Sequence, residues 1–151
     1  MYTKREASQL RQAFWTAFGQ YMMPLPNADG EKINWVNYKT GNRFIQVKMD
    51  AGTMAGSFII EITHPDTVAR QQLFQHFTGQ QKIFESIAGT GWTWVPETAD
   101  AFGKTSSMIY REIADVNIFY KEKWPTLIGF FKFSIVSFDE YWQMARYGFD
   151  V

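Results

Sequence analysis

A carboxylate stands inside a nearly continuous apolar run, Phe58-Ile59-Ile60-Glu61-Ile62. Burying such a charge is costly unless it is paired, bound to a metal or protonated, so Glu61 is the first candidate for chemistry. Just upstream, Asp50 closes another run on the same face as Lys48. If the two runs pair antiparallel through the Gly-rich segment between them, Asp50 and Glu61 can lie near each other at one edge of a sheet. Two close carboxylates form a site for Mg²⁺, which takes oxygen ligands and polarises phosphates. The plainer alternative is an exposed Glu61, or an ordinary ion pair with Lys48, Arg43 or Arg70.

His64-Pro65-Asp66 follows at a strand-to-helix junction, with Arg70 one turn further on. A histidine there could accept a proton or hydrogen-bond a phosphate, since sites are commonly built on loops at strand ends. Equally, His64 or Thr63 could cap the helix while Asp66 pairs with Arg70 four residues later. Trp92 and Trp94 project from one face of a strand by alternation, and such a pair can stack nucleic-acid bases or pack beneath a helix. Trp15 and Trp35 are further aromatic candidates. No phosphate-cradling glycine loop and no Gly-x-Ser-x-Gly elbow is present.

Composition narrows the classes. With no Cys among 151 residues there is no disulfide framework, thiolate metal site or thiol nucleophile, and two histidines, His64 and His76, leave little for zinc. The formal net charge of zero lacks the Lys and Arg surplus of a non-specific nucleic-acid binder, so contact with nucleic acid would need a local patch. No stretch approaches the ~20 apolar residues that span a bilayer, and the polar start is unlike a signal peptide, so the sequence reads as a cytoplasmic protein of bacterial type. An 18 % aromatic content is more than a core of this size needs. An exposed surplus would mark a protein partner or a homodimer contact.

The elements that position these residues follow from periodicity. Thr3 and Glu6 match a capping box, and Ala7, Leu10, Phe14, Ala17, Phe18 and Tyr21 make one helical stripe ended by Pro24 and Pro26. Three strands are expected next: Ile33–Tyr38, Arg43–Asp50 with Ile45, Val47 and Met49 on one face, and Ser57–Thr63, whose apolar run reads as a central strand covered on both faces. A helix starts near Pro65 and ends at Gly89-Thr90-Gly91, with Gly79 near its middle able to kink it or divide it. Strands at Trp92–Glu97 and Met108–Phe119 precede a helical stripe over Trp124–Tyr147. In that stripe Ser137-Phe138-Asp139-Glu140 is a second capping-box match that would split it in two. The expectation is one α/β (α+β) domain over 1–151 in the order α-β-β-β-α-β-β-α, with helices flanking a mixed sheet.

Three groups of residues carry a likeness: Leu10-Arg11-Gln12-Ala13-Phe14-Trp15 with Phe18-Gly19; Ile60-Glu61-Ile62 leading through His64, Pro65 and Asp66 to Arg70; and Trp124, Phe130-Phe131 and Phe138-Asp139-Glu140-Tyr141-Trp142. On these the chain resembles the bacterial family called domain of unknown function 4268 over nearly its whole length. That family is distantly similar to the PD-(D/E)XK nuclease superfamily, of restriction-endonuclease-like fold. The resemblance implies Asp50 as the first metal-binding acid, Glu61 as the second and Glu6 as a helix acid. The lysine of the superfamily pattern falls on Thr63, which cannot position and activate a nucleophile. Lys48 or Arg70 would have to stand in. Three expectations follow: a degenerate nuclease-like module binding nucleic acid or protein; an active Mg²⁺-dependent nuclease using Asp50, Glu61 and Lys48; and a protein-interaction domain or homodimer.

Overall fold

Glu6 and Thr3 close the capping box of helix α1 (Lys4–Met22), the Glu6 amide donating to Thr3 Oγ1 at 3.1 Å and the Thr3 amide to Glu6 Oε1 at 3.2 Å. The computed structural model describes residues 2–150. After α1 come β1 (Ile45–Ala51), β2 (Ala55–Ile62), α2 (Thr67–Gly79), α3 (Gln81–Ala88), β3 (Thr93–Ala99), β4 (Thr105–Ala114) and α4 (Trp124–Ala145), with short 3₁₀ turns at Lys121–Lys123 and Arg146–Phe149.

The expected strand at 33–38 does not form. Asn34 Oδ1 accepts from the amides of Val36 and Asn37, an Asx turn that competes with an extended ladder. The aromatic residues there fill the core instead: Trp35 and Tyr38 are buried, and Trp35 Nε1 donates to the Leu25 carbonyl at 2.9 Å. The order is therefore α-β-β-α-α-β-β-α. Gly79 does divide the central helix, the chain turning at Gln80. α4, by contrast, is continuous through Ser137, whose hydroxyl donates to the Phe133 carbonyl at 2.6 Å rather than capping a new helix.

The sheet is antiparallel throughout, in the order β1-β2-β4-β3, which corrects the expectation of a mixed sheet. β1–β2 and β3–β4 are two hairpins, and the return strand of the second, β4, takes the place beside β2, so it runs against its neighbour on each side. A parallel pair would have needed the crossover to deliver β3 there.

One face of this sheet is covered. Ile45, Phe58, Ile60, Ile62 and Ile109 point into the helices and are buried. Trp94 packs against Phe74 of α2 and Phe84 of α3, while Gly56 lies so close to α4 that a Cβ would stand 2.9 Å from Leu127 Cδ2. α1 forms an outer layer on α4, Phe14 lying over Trp124 and Phe131. The alternate residues face away from every described helix. β2 is thus a central strand with one solvent-facing side, not a strand covered on both faces.

The segment between α1 and β1 is fastened by one carboxylate. Asp139 of α4, 1 % exposed, accepts from the Tyr38 hydroxyl at 2.6 Å, the Ala28 amide at 2.7 Å and Gln143 Nε2 at 3.0 Å. Burial, then the Asp139 carboxylate, push the Tyr38 hydroxyl far above its ordinary value. Burial does the same to Tyr141, whose hydroxyl donates to Gln80 Oε1. The unfolded chain releases both protons above about pH 10 while the folded protein keeps them, so stability is held below that pH and falls as pH rises. The loss is expected to reach up to about 1.4 kcal/mol per pH unit for each tyrosine. Urea midpoints measured from about pH 9 to about pH 11 should drop less steeply in Tyr38→Phe or Tyr141→Phe; an unchanged slope would contradict the assignment.

Candidate functional site

The uncovered sheet face carries Gln46, Lys48 and Asp50 from β1, Ser57, Ile59 and Glu61 from β2, Ser106, Met108, Tyr110 and Glu112 from β4, and Thr93 and Val95 from β3. Each is placed there by strand alternation and register. Ile59, Val95, Met108 and Tyr110 sit at its centre and are half-buried.

Glu61 belongs to this face. Its run is an alternating strand whose outward positions are Ser57, Ile59 and Glu61, so the charge interrupts no buried surface. Lys48 Nζ lies 2.6 Å from Glu61 Oε1, and Ser106 Oγ donates to Oε2 at 3.2 Å. With the Lys48 side chain 53 % exposed and that of Glu61 18 %, the pair is a half-solvated cross-strand contact of modest energetic weight.

Asp50 is not brought to Glu61. In the antiparallel register Glu61 faces Gln46 and Asp50 faces Ser57, four steps further along β1. That is about 13 Å at roughly 3.3 Å per residue. Two ligands of one Mg²⁺ lie within about 4 Å of each other, so these two carboxylates do not fit a shared ion. Among the described residues no group of three or more His, Asp or Glu side chains gathers for a metal. Glu6 is occupied in the α1 capping box, and Thr63 bonds the Phe44 carbonyl through its amide at 2.8 Å.

The strand-to-helix junction is structural in its contacts. His64 Nδ1 accepts from the Asp66 amide at 3.1 Å while its ring lies against Phe44. Asp66 caps α2 by accepting from the Ala69 amide at 2.9 Å and does not pair with Arg70. Arg70 is fully buried and turns instead to Glu97 at 2.8 Å and the His64 carbonyl at 3.1 Å, leaving its Nε without a partner. Trp92 and Trp94 face the helices. Trp92 is buried against Phe58 and Phe84 and donates to the Gly89 carbonyl, so neither ring is a platform for a base. His76 rests edge-on against Phe149.

Sequence reasoning passed over two sets of residues. Arg111 sits on the covered face, stacks over Trp92 at 4.4 Å and donates to the Ala88 carbonyl at 2.8 Å and Ser134 Oγ at 3.0 Å, closing the C-terminal end of α3. Burial lowers its pKa. Its inward parity with Ser107 and Ile109 is the signal that was available. The other set is the outward apolar centre, legible from the same parity in Met108 and Tyr110.

Four helices on one side of a four-stranded antiparallel sheet, with the other side open and its ionic groups paired or dispersed, define a one-faced α+β domain. Residues 10–146 match the family described as Domain of unknown function (DUF4268), and the chain belongs to it. No curated protein and no solved structure matches the chain. No described helix is long and apolar enough to cross a membrane.

Proposed function

We propose that this domain is a non-catalytic interaction module that receives a protein partner on the open face of its sheet. The observation that carries this reading is the apolar centre of Ile59, Val95, Met108 and Tyr110, ringed by Gln46, Lys48, Asp50, Thr93 and Glu112. An apolar core within a polar rim is the anatomy of a protein interface. Asp50, Glu61 and Glu112 outnumber Lys48 on this face, so phosphate backbones are repelled and a second copy would meet like charge.

The nuclease reading implied by the resemblance, active or reduced to nucleic-acid binding, has less support. It needs Asp50, Glu61 and Lys48 around one ion, yet Lys48 neutralises Glu61 and Asp50 stands at the other end of the ladder. The tests separate the readings. Purified protein with labelled single- and double-stranded DNA and Mg²⁺ or Mn²⁺ should give no cleavage; metal-dependent cleavage that disappears in Glu61→Ala would overturn the proposal. A photo-crosslinking residue at Tyr110 should join the domain to one protein partner, and Met108→Asp should abolish the product at a temperature where circular dichroism shows the variant still folded. Crosslinking unchanged by Met108→Asp would count against the face.

A further inference from the structure

The two edges of the sheet are finished differently. β3 carries Pro96 within a register slip between Val95 and Thr98, and the Pro96 carbonyl accepts from Gln71 Nε2 at 2.7 Å and Ser107 Oγ at 2.6 Å. Such devices block strand addition. β1 is open in its middle. The Phe44 carbonyl accepts from the Thr63 amide and the Gly52 amide donates to the Ala55 carbonyl, so the even-numbered residues between them bond inward to β2. The odd-numbered ones therefore present their backbone groups outward. Ile45 is satisfied there, its amide donating to the Asn42 carbonyl and its carbonyl accepting from Thr40 Oγ1. Val47 and Met49 have no such partner among the described residues.

A groove of about 540 Å³ runs beside this edge, walled by residues 37–43 on one side and Ile45, Gln46 and Val47 on the other. Its charged residues are Lys39 and Arg43, neither in an ion pair with a described residue, and no carboxylate lines it. On the strand itself Lys48 is paired with Glu61 and Asp50 stands two residues further on, so the positive charge of the groove is that of Lys39 and Arg43. Self-pairing of β1 centred on Lys48 would set lysine against lysine, which is unfavourable.

We infer that the β1 edge takes an extended acidic segment of a partner protein as a fifth strand, the backbone of Val47 and Met49 supplying the ladder and Lys39 and Arg43 meeting its carboxylates. This rests on the reading of the domain as an interaction module but uses a different surface. Free amides and carbonyls spaced for a ladder select a peptide, because a nucleic acid cannot continue it.

The test uses the full chain and a labelled seven-residue peptide of alternating valine and glutamate, followed by fluorescence anisotropy. It should bind at least about tenfold more tightly than the valine–lysine peptide, and Lys39→Glu with Arg43→Glu should remove that preference. Val47→Pro, which deletes one outward amide on an edge where proline is tolerated, should weaken binding by a similar factor. If Val47→Pro fails to fold, the charge-reversed chain decides alone. Equal affinity for the two peptides, tighter binding of an oligothymidylate lost in Arg43→Glu, or sedimentation of the free chain as a dimer abolished by Val47→Pro would each overturn the inference. Loss of peptide binding with Tyr110 crosslinking intact rejects the edge and spares the face; loss of both rejects the module.

Discussion

Asp139→Ala is expected to cost about 2–4 kcal/mol in a urea unfolding experiment. The carboxylate is 1 % exposed and holds the Tyr38 hydroxyl, the Ala28 amide and Gln143. Truncation leaves the buried Tyr38 hydroxyl unsatisfied, at about 1–3 kcal/mol, releases the amide of the exposed Ala28 to water, and opens a void beside the Tyr38 ring. Asp139→Asn should lose roughly half as much. Its oxygen can still accept from Tyr38, but its amide nitrogen then meets the Ala28 N–H, donor against donor. The loss is expected to be local first, because the carboxylate ties residues 28–38 to α4, so limited proteolysis of Asp139→Ala should cut within that segment before the sheet. That segment continues into the wall of the β1 groove, and acidic-peptide affinity should fall with it. A variant that unfolds within about 1 kcal/mol of the parent would show that the clip does not hold the segment.

Periodicity exposed the long elements and most of their inward faces, because a stripe such as Phe14 and Phe18, or the alternation of Ile45, Val47 and Met49, is local information, although the stripe expected to end at Tyr21 ends at Met22, with Tyr21 exposed. It failed where side chains bond across the chain. Ile33–Tyr38 has the composition of a strand, yet Asn34 bonds its own turn and Tyr38 reaches Asp139, about a hundred residues away in the chain. The order of strands was equally hidden, since nothing local says that β4 rather than β3 lies beside β2. That order decides the candidate site. The same antiparallel pairing that was expected to bring Asp50 to Glu61 fixes a register in which they stand apart, and the open face turns Glu61 from an anomalous buried charge into an ordinary outward residue paired with Lys48. The ion pair was among the alternatives read from the sequence. The uncovered face was not, because a run of isoleucines looks the same whether helices cover one side of the strand or both.

Phe131→Ala should be comparably severe, at about 3–5 kcal/mol, for a different reason. Phe131 is fully buried in the middle layer of a three-layer stack. Its Cζ would stand 3.5 Å from a Cβ placed on Gly56 of β2, and the ring lies 6.2 Å from Phe14, 5.2 Å from Trp15 and 5.9 Å from Phe18 of α1. One side chain therefore touches the sheet and the outer helix together. Gly56 cannot fill the space left behind, and the stiff aromatic neighbours close only part of it, so the cavity penalty adds to the lost transfer free energy. Because α1 rests on α4 through this cluster, helix content should fall before strand content in circular dichroism as urea rises. Met144→Ala, on the same helix but 59 % exposed, should change stability by no more than about 0.5 kcal/mol and serves as the control. A Phe131→Ala midpoint no lower than that of the control would mean that the outer helix is held by something other than this aromatic stack.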